Sequence, residues 1–126
     1  MEQQPLDFVM TLRIKRKEVF FGPGVVTVME LIDKTGSLSG AAKEMGMSYN
    51  KAWRILQKAE AEWGRPLIES NVGGASGGGS RLTPAGRSLL EAYKDFHEMA
   101  KQDLAKRFTE SFHELLVEVE AEEKYS

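Results

Sequence analysis

With 126 residues and a hydrophobic fraction of 41%, the chain suits one compact domain with a small core, so neither a second domain nor a separate sensor domain is expected. Cysteine is absent, which excludes disulfides, thiolate metal sites and thiol redox chemistry and fits a reducing compartment. The net charge of −2 argues mildly against nucleic acid, yet residues 1–87 carry 12 Lys and Arg against 9 Asp and Glu, while residues 88–126 carry 5 against 10. A slightly basic front half with an acidic tail is compatible with a DNA-facing side.

The N-terminus, MEQQPLDFVM, is acidic and too poor in apolar residues for a signal peptide, and no run approaches a membrane span. A soluble, cytoplasmic protein is expected. Phe8 to Lys17 alternate, with Phe8, Met10, Leu12 and Ile14 pointing one way and Thr11, Arg13 and Lys15 the other, which predicts a half-buried strand. Its basic side suits an edge strand protected from aggregation by charge, or a surface facing phosphates. Val19-Phe20-Phe21 and a Gly22-Pro23-Gly24 turn follow. From Gly24 to Lys34, the apolar face Val25, Val28, Met29 and Ile32 predicts a first helix closed at Thr35-Gly36. Its valines are poor helix formers, so packing must hold it.

Thr35 to Trp63 reads as two helices around a tight turn. Ser37 or Ser39 starts the first, whose Ala41-Ala42 pair permits close approach, and Gly46 supplies the turn. Ser48 caps the second, where Ala52, Ile55 or Leu56, Ala59 and Trp63 form a buried stripe opposite Tyr49, Asn50, Arg54 and Gln57. That geometry lays the second helix into a DNA major groove. Asn can bond an adenine edge and Arg a guanine edge, while Lys51 and Lys58 would reach phosphates. Two packed helices with a solvated polar face is the plainer reading of the same residues.

Gly64 ends this helix, Arg65-Pro66 opens an extended segment from Leu67 to Val72, and a glycine-rich run from Gly73 to Ser80 leads into Arg81-Leu82-Thr83. Two short strands around such a tip predict a β-hairpin wing. The run has no Gly-Lys-[Ser/Thr] ending and no Gly-x-Gly-x-x-Gly fingerprint in a strand-to-helix setting, so it is neither phosphate loop nor dinucleotide motif. A flexible linker is the alternative. Close approach to a nucleic-acid backbone or minor groove would account for the missing side chains of Gly77, Gly78 and Gly79, with Ser80 and Arg81 at the base.

Thr83-Pro84 is a helix start, and one long helix, or two with a bend, is expected to about Val119, followed by a frayed tail from Ala121. Leu89, Tyr93, Phe96, Ala100, Leu104 and Phe108, continued by Phe112 and Leu115, repeat at spacings of three and four. So long an apolar stripe exceeds what a small domain covers, which points to dimerisation; folding back on its own core is the alternative. His97-Glu98 and His113-Glu114 each open a zinc-protease-like pattern, but Lys101 and Val117 occupy the positions of the second histidine. No catalytic grouping stands out, so neither enzyme activity, metal nor cofactor is expected.

Thr35-Gly36-Ser37, Ala41-Ala42, Ser48-Tyr49 with Ala52-Trp53, Pro66-Leu67, the Gly73–Gly79 run and Arg81-Leu82-Thr83-Pro84 together resemble the N-terminal winged-helix domain of the ModE family of molybdenum-responsive transcriptional regulators. The helical unit is more distantly similar to LysR-type regulators. The resemblance covers roughly residues 10–115. It implies a homodimer that sets two recognition helices in successive major grooves of an operator with two-fold symmetry, with Ser48 to Arg54 at base edges, the wing at Gly73 to Arg81 on the backbone, and dimer contacts from the helix after the wing. Full-length members carry C-terminal molybdate-binding domains beyond the stretch matched here, so molybdate is not expected to bind this chain. The expected fold is mainly α with a small β component: a winged helix-turn-helix over residues 8–83 with an N-terminal strand, and a long C-terminal dimerisation helix or helices over residues 84–120. The DNA-facing set expected from helices and wing is Ser39, Ser48, Tyr49, Asn50, Lys51, Arg54, Lys58, Gly77, Gly78, Gly79, Ser80 and Arg81. A winged-helix module that binds another protein instead of reading DNA is the alternative function.

Overall fold

The computed structural model describes residues 5–71 and 79–125. The chain divides into two compact units, Thr11–Lys94 and Met1–Met10 with Asp95–Ser126. The first unit holds β1 (Ile14–Lys15), β2 (Val19–Phe21), α1 (Pro23–Thr35), α2 (Leu38–Met45), α3 (Tyr49–Trp63), β3 (Ile68–Asn71), β4 (Gly79–Leu82) and the beginning of α4 (Pro84–Tyr125). Both strand pairs are antiparallel.

The alternation from Phe8 to Ile14 is visible in burial, since Phe8, Met10, Leu12 and Ile14 are half-buried while Val9, Thr11 and Arg13 are exposed. Regular strand pairing, however, is confined to Ile14 and Lys15 rather than running to Lys17. The reason is the partner: β2 has three residues, and the register slips between Ile14 and Lys15.

α1 starts at Pro23, one residue before the glycine expected to open it. Its weak helix formers are held as packing requires: Val25, Val26, Val28, Met29 and Ile32 are buried, and the Thr27 hydroxyl donates 2.8 Å to the Pro23 carbonyl. The core is completed by Phe20 and Phe21, by Leu38, Ala41 and Ala42 of α2, by Ala52, Leu56 and Ala59 of α3, and by Leu67 and Leu82 at the base of the hairpin. Burying side chains of this size contributes roughly 1.5–3 kcal/mol each for the larger ones, against the entropy of ordering the chain.

Leu89, Leu90 and Tyr93 at the start of α4 belong to this same core. Leu89 and Tyr93, expected among the dimerisation residues, are only 9% and 7% exposed, and the Tyr93 hydroxyl donates 2.9 Å to the Leu12 carbonyl. Their apolar surface is therefore used within the winged unit, which extends to Lys94. Helical periodicity alone gave no sign of where the stripe changes partners. Two ion pairs fasten α1 to this part of α4, Arg87 to Asp33 at 2.8 Å and Lys94 to Glu30 at 3.2 Å.

Gly86 makes the junction possible. A Cβ there would lie 2.2 Å from the Leu67 carbonyl oxygen, so the first turn of α4 rests directly on backbone. Thr83 caps that turn, accepting from the Gly86 N–H at 2.9 Å and donating to the Pro66 carbonyl at 2.7 Å.

In the second unit α4 continues without interruption to Tyr125, past the expected end near Val119 and through the segment expected to fray. No Pro or Gly follows Gly86, so nothing in the sequence breaks it. Phe8 packs on Phe108 with ring centroids 5.2 Å apart, and Phe108 stacks on Phe112 at 4.8 Å. Phe96, Met99, Leu104, Phe112, Leu115, Val117 and Val119 remain exposed along the helix.

Candidate nucleic-acid interface

The turn between α2 and α3 is built by short-range chemistry. The Ser37 hydroxyl accepts from the Gly40 N–H at 2.8 Å and so fixes the start of α2, which leaves Ser39 exposed in its first turn. At the other end Gly46 takes the left-handed conformation, φ 69°, that closes a helix, and the Met47 N–H returns 3.0 Å to the Ala42 carbonyl. The chain then enters α3 through Ser48, whose hydroxyl accepts from the Lys51 N–H at 3.1 Å. Such a cap stabilises a helix by about 1 kcal/mol.

Ala52, Leu56 and Ala59 face the core and fix the rotation of α3. The small alanines let α2 and α3 approach, and the outward face is left polar. At about 100° per residue, Asn50, Arg54 and Gln57 lie opposite the buried stripe, with Lys51 and Lys58 on one flank and Tyr49 and Trp53 on the other. The side chains of Asn50, Lys51, Arg54 and Lys58 are exposed and form no hydrogen bond or ion pair among the described residues. In a chain rich in acidic groups, three unpaired cations and an amide on one helix face are free to meet a ligand rich in phosphate and base edges.

The hairpin is tied to this helix. Glu60 of α3 accepts from the Leu67 N–H at 2.9 Å and from Ile68 at 3.4 Å, and Gln57 donates to the same carboxylate at 3.3 Å. The Ser80 N–H reaches the Gly36 carbonyl at 2.8 Å, fixing β4 against the loop after α1. β3 and β4 pair in the register Glu69 with Arg81 and Ser70 with Ser80. Gly77 and Gly78 lie outside the described residues; Gly79 and Ser80 are half-buried on β4.

Residues 26–87 match the model of the bacterial regulatory helix-turn-helix protein family of LysR type. They form a LysR-type helix-turn-helix domain.

The same part of the chain is similar to several curated relatives. The molybdenum-pterin-binding protein MopB of Rhodobacter capsulatus is 39% identical over 80 residues, 64% of this chain and 30% of the relative. The transcriptional regulator ModE of Haemophilus influenzae is 34% identical over 69% of this chain and 34% of its own length, and the DNA-binding transcriptional dual regulator ModE of Escherichia coli K12 is 32% identical over 69% and 33%. The chain thus spans about a third of the length of these relatives. Among solved structures, the CbnR DNA-binding domain in its DNA complex shares the fold, with a TM-score of 0.51 at 24% identity over 69% of this chain and 94% of that one. Full-length CbnR complexed with its target DNA gives a TM-score of 0.51 at 25% identity over 68% and 28%.

Within the LysR-type domain, two side chains differ in setting from what residue type alone suggests. Arg81, expected to offer a free charge at the wing, donates 2.8 Å to Glu69 across the hairpin. Trp53, which residue type alone assigns to the core, is 47% exposed on the flank of α3, beside Tyr49 at 53%. Its distance from the Ala52-Leu56-Ala59 stripe was the sequence signal that could have found it. No helix is long and apolar enough to cross a membrane, and no group of three or more His, Cys, Asp or Glu could hold a metal ion, among the described residues.

Proposed function

We propose that the protein is a sequence-specific DNA-binding transcription regulator that acts as a homodimer in the cytoplasm. The observation that carries this reading is the outward face of α3, where Asn50, Lys51, Arg54 and Lys58 are exposed and uncommitted on a LysR-type helix-turn-helix. α3 enters the major groove: Asn50 and Arg54 meet base edges, Lys51 and Lys58 meet phosphates, and Ser39, Ser48 and Tyr49 line the approach. The wing, with Gly77, Gly78, Gly79, Ser80 and Arg81, follows the backbone or minor groove. The stripe of α4 from Phe96 through Ala100, Leu104 and Phe108, with Phe96 and Leu104 exposed and Ala100 and Phe108 half-buried, pairs with a second copy. Two recognition helices then read half-sites about 34 Å apart. Molybdate binding is not proposed for these residues.

Binding to random duplex DNA at two salt concentrations, followed by selection of the bound sequences, tests the proposal. A palindromic motif with affinity falling steeply as salt rises is expected. The net charge of −2 and the apolar face of α4 favour one second reading, a winged-helix module that binds another protein. A folded dimer that enriches no sequence and shows no salt dependence would support that reading instead.

A further inference from the structure

We infer that Tyr49 and Trp53 read thymine methyl groups, making α3 a helix with three separate contact strips. This rests on the placement of α3 in the major groove proposed above.

Tyr49 and Trp53 are one turn apart, 53% and 47% exposed, and form an aromatic edge beside the Asn50–Arg54 strip. Lys51 and Lys58 form the opposite edge, two turns apart. The aromatic edge stands outside the buried stripe of Ala52, Leu56 and Ala59, and about half of each of the two side chains faces solvent. An exposed tryptophan beside three unpaired cations needs a partner with both charge and apolar surface.

Duplex DNA supplies both. The major groove is about 12 Å wide and a helix with its side chains about 10–12 Å across, so one edge of α3 lies along the phosphates of one strand while the other reaches the outer part of the base-pair edges. The cationic edge is matched by phosphates. The aromatic edge gains nothing from phosphate, and the apolar group that a base pair presents in this groove is the C5-methyl of thymine. A protein partner would have to bring an array of carboxylates to Lys51, Arg54 and Lys58 together with an apolar surface, whereas a duplex carries phosphates along its whole length. The charge pattern therefore favours DNA, and the aromatic edge assigns thymine.

The test uses the full chain and the duplex recovered by selection. Each thymine of a half-site is replaced singly by deoxyuridine, which removes one methyl and leaves every hydrogen-bonding group in place. At one or two positions the wild-type protein is expected to lose affinity about four-fold, the effect of one buried carbon group. Trp53→Ala or Tyr49→Ala should bind the thymine and deoxyuridine duplexes equally at the corresponding position, while Arg54→Ala keeps the difference. Equal binding of wild type to thymine and deoxyuridine at every position would overturn the assignment while leaving the regulator reading intact. Failure to bind or enrich any duplex would remove the regulator reading and this assignment together.

Discussion

The hydroxyl of Ser48 spans less than one helical turn and yet decides where the reading helix begins. Its bond to the Lys51 N–H sets the first turn of α3, so Ser48→Ala is expected to lower stability by about 1 kcal/mol, as measured by denaturant unfolding. Arg54 is the complementary case, exposed and unpaired, where loss of the side chain leaves the fold unchanged. Arg54→Ala should weaken specific binding by about 1–3 kcal/mol and relax preference at one base position, read by titrating single-base variants of the selected duplex. A uniform loss across all sequences would make it a phosphate contact. Gly86 acts through space alone. Gly86→Ala places a methyl against the Leu67 carbonyl oxygen, and overpacking of this kind is expected to destabilise by about 1–3 kcal/mol or more in the same unfolding measurement.

Between elements, charge pairs that are invisible in the sequence alter what the motifs suggest. Arg81 was legible as a cation at the base of a wing, but Glu69 became its partner only when the hairpin register placed the two opposite one another. Glu69→Gln is expected to free Arg81 for phosphate, raise DNA affinity without changing sequence preference, and steepen the salt dependence by about one counterion. α1 and α4 are joined by a pair of the same kind. The hydrogen bond from Arg87 holds the Asp33 carboxyl below its ordinary value, partly offset by desolvation, with the charge of Arg87 adding a lesser lowering. A carboxyl whose folded pKa is depressed contributes its stability fully above the unfolded value of about 3.9, and loses it as pH falls through the folded value. Unfolding curves of wild type and Asp33→Asn should therefore differ slightly at neutral pH and converge in acid, the difference being small because the pair is half-exposed. The helix-turn-helix was legible to within a residue or so because Ser37, Gly46, Ser48 and Gly64 are local signals acting over three or four positions. The short β1 and the core role of Tyr93 were not, because both depend on partners far along the chain.

For the molecule as a whole, the winged unit takes Leu89, Leu90 and Tyr93 for its own core, and the second unit keeps an apolar helix face beyond them. Phe96 and Met99 are 59% and 66% exposed, which is costly to leave against water in a lone chain. Phe96→Asp combined with Leu104→Asp should yield a folded monomer by sedimentation, with a normal circular dichroism spectrum and reduced affinity for a two-site duplex. Unfolding of that variant would instead place these residues within the fold. The separation of duties on α3 bears on how such a protein changes over time. Asn50 and Arg54 are exposed and contribute little to the packing secured by Ala52, Leu56 and Ala59. Mutations on the outward face can thus accumulate almost neutrally with respect to folding, and a lineage could acquire a new target by drift at a few positions while its architecture stays fixed.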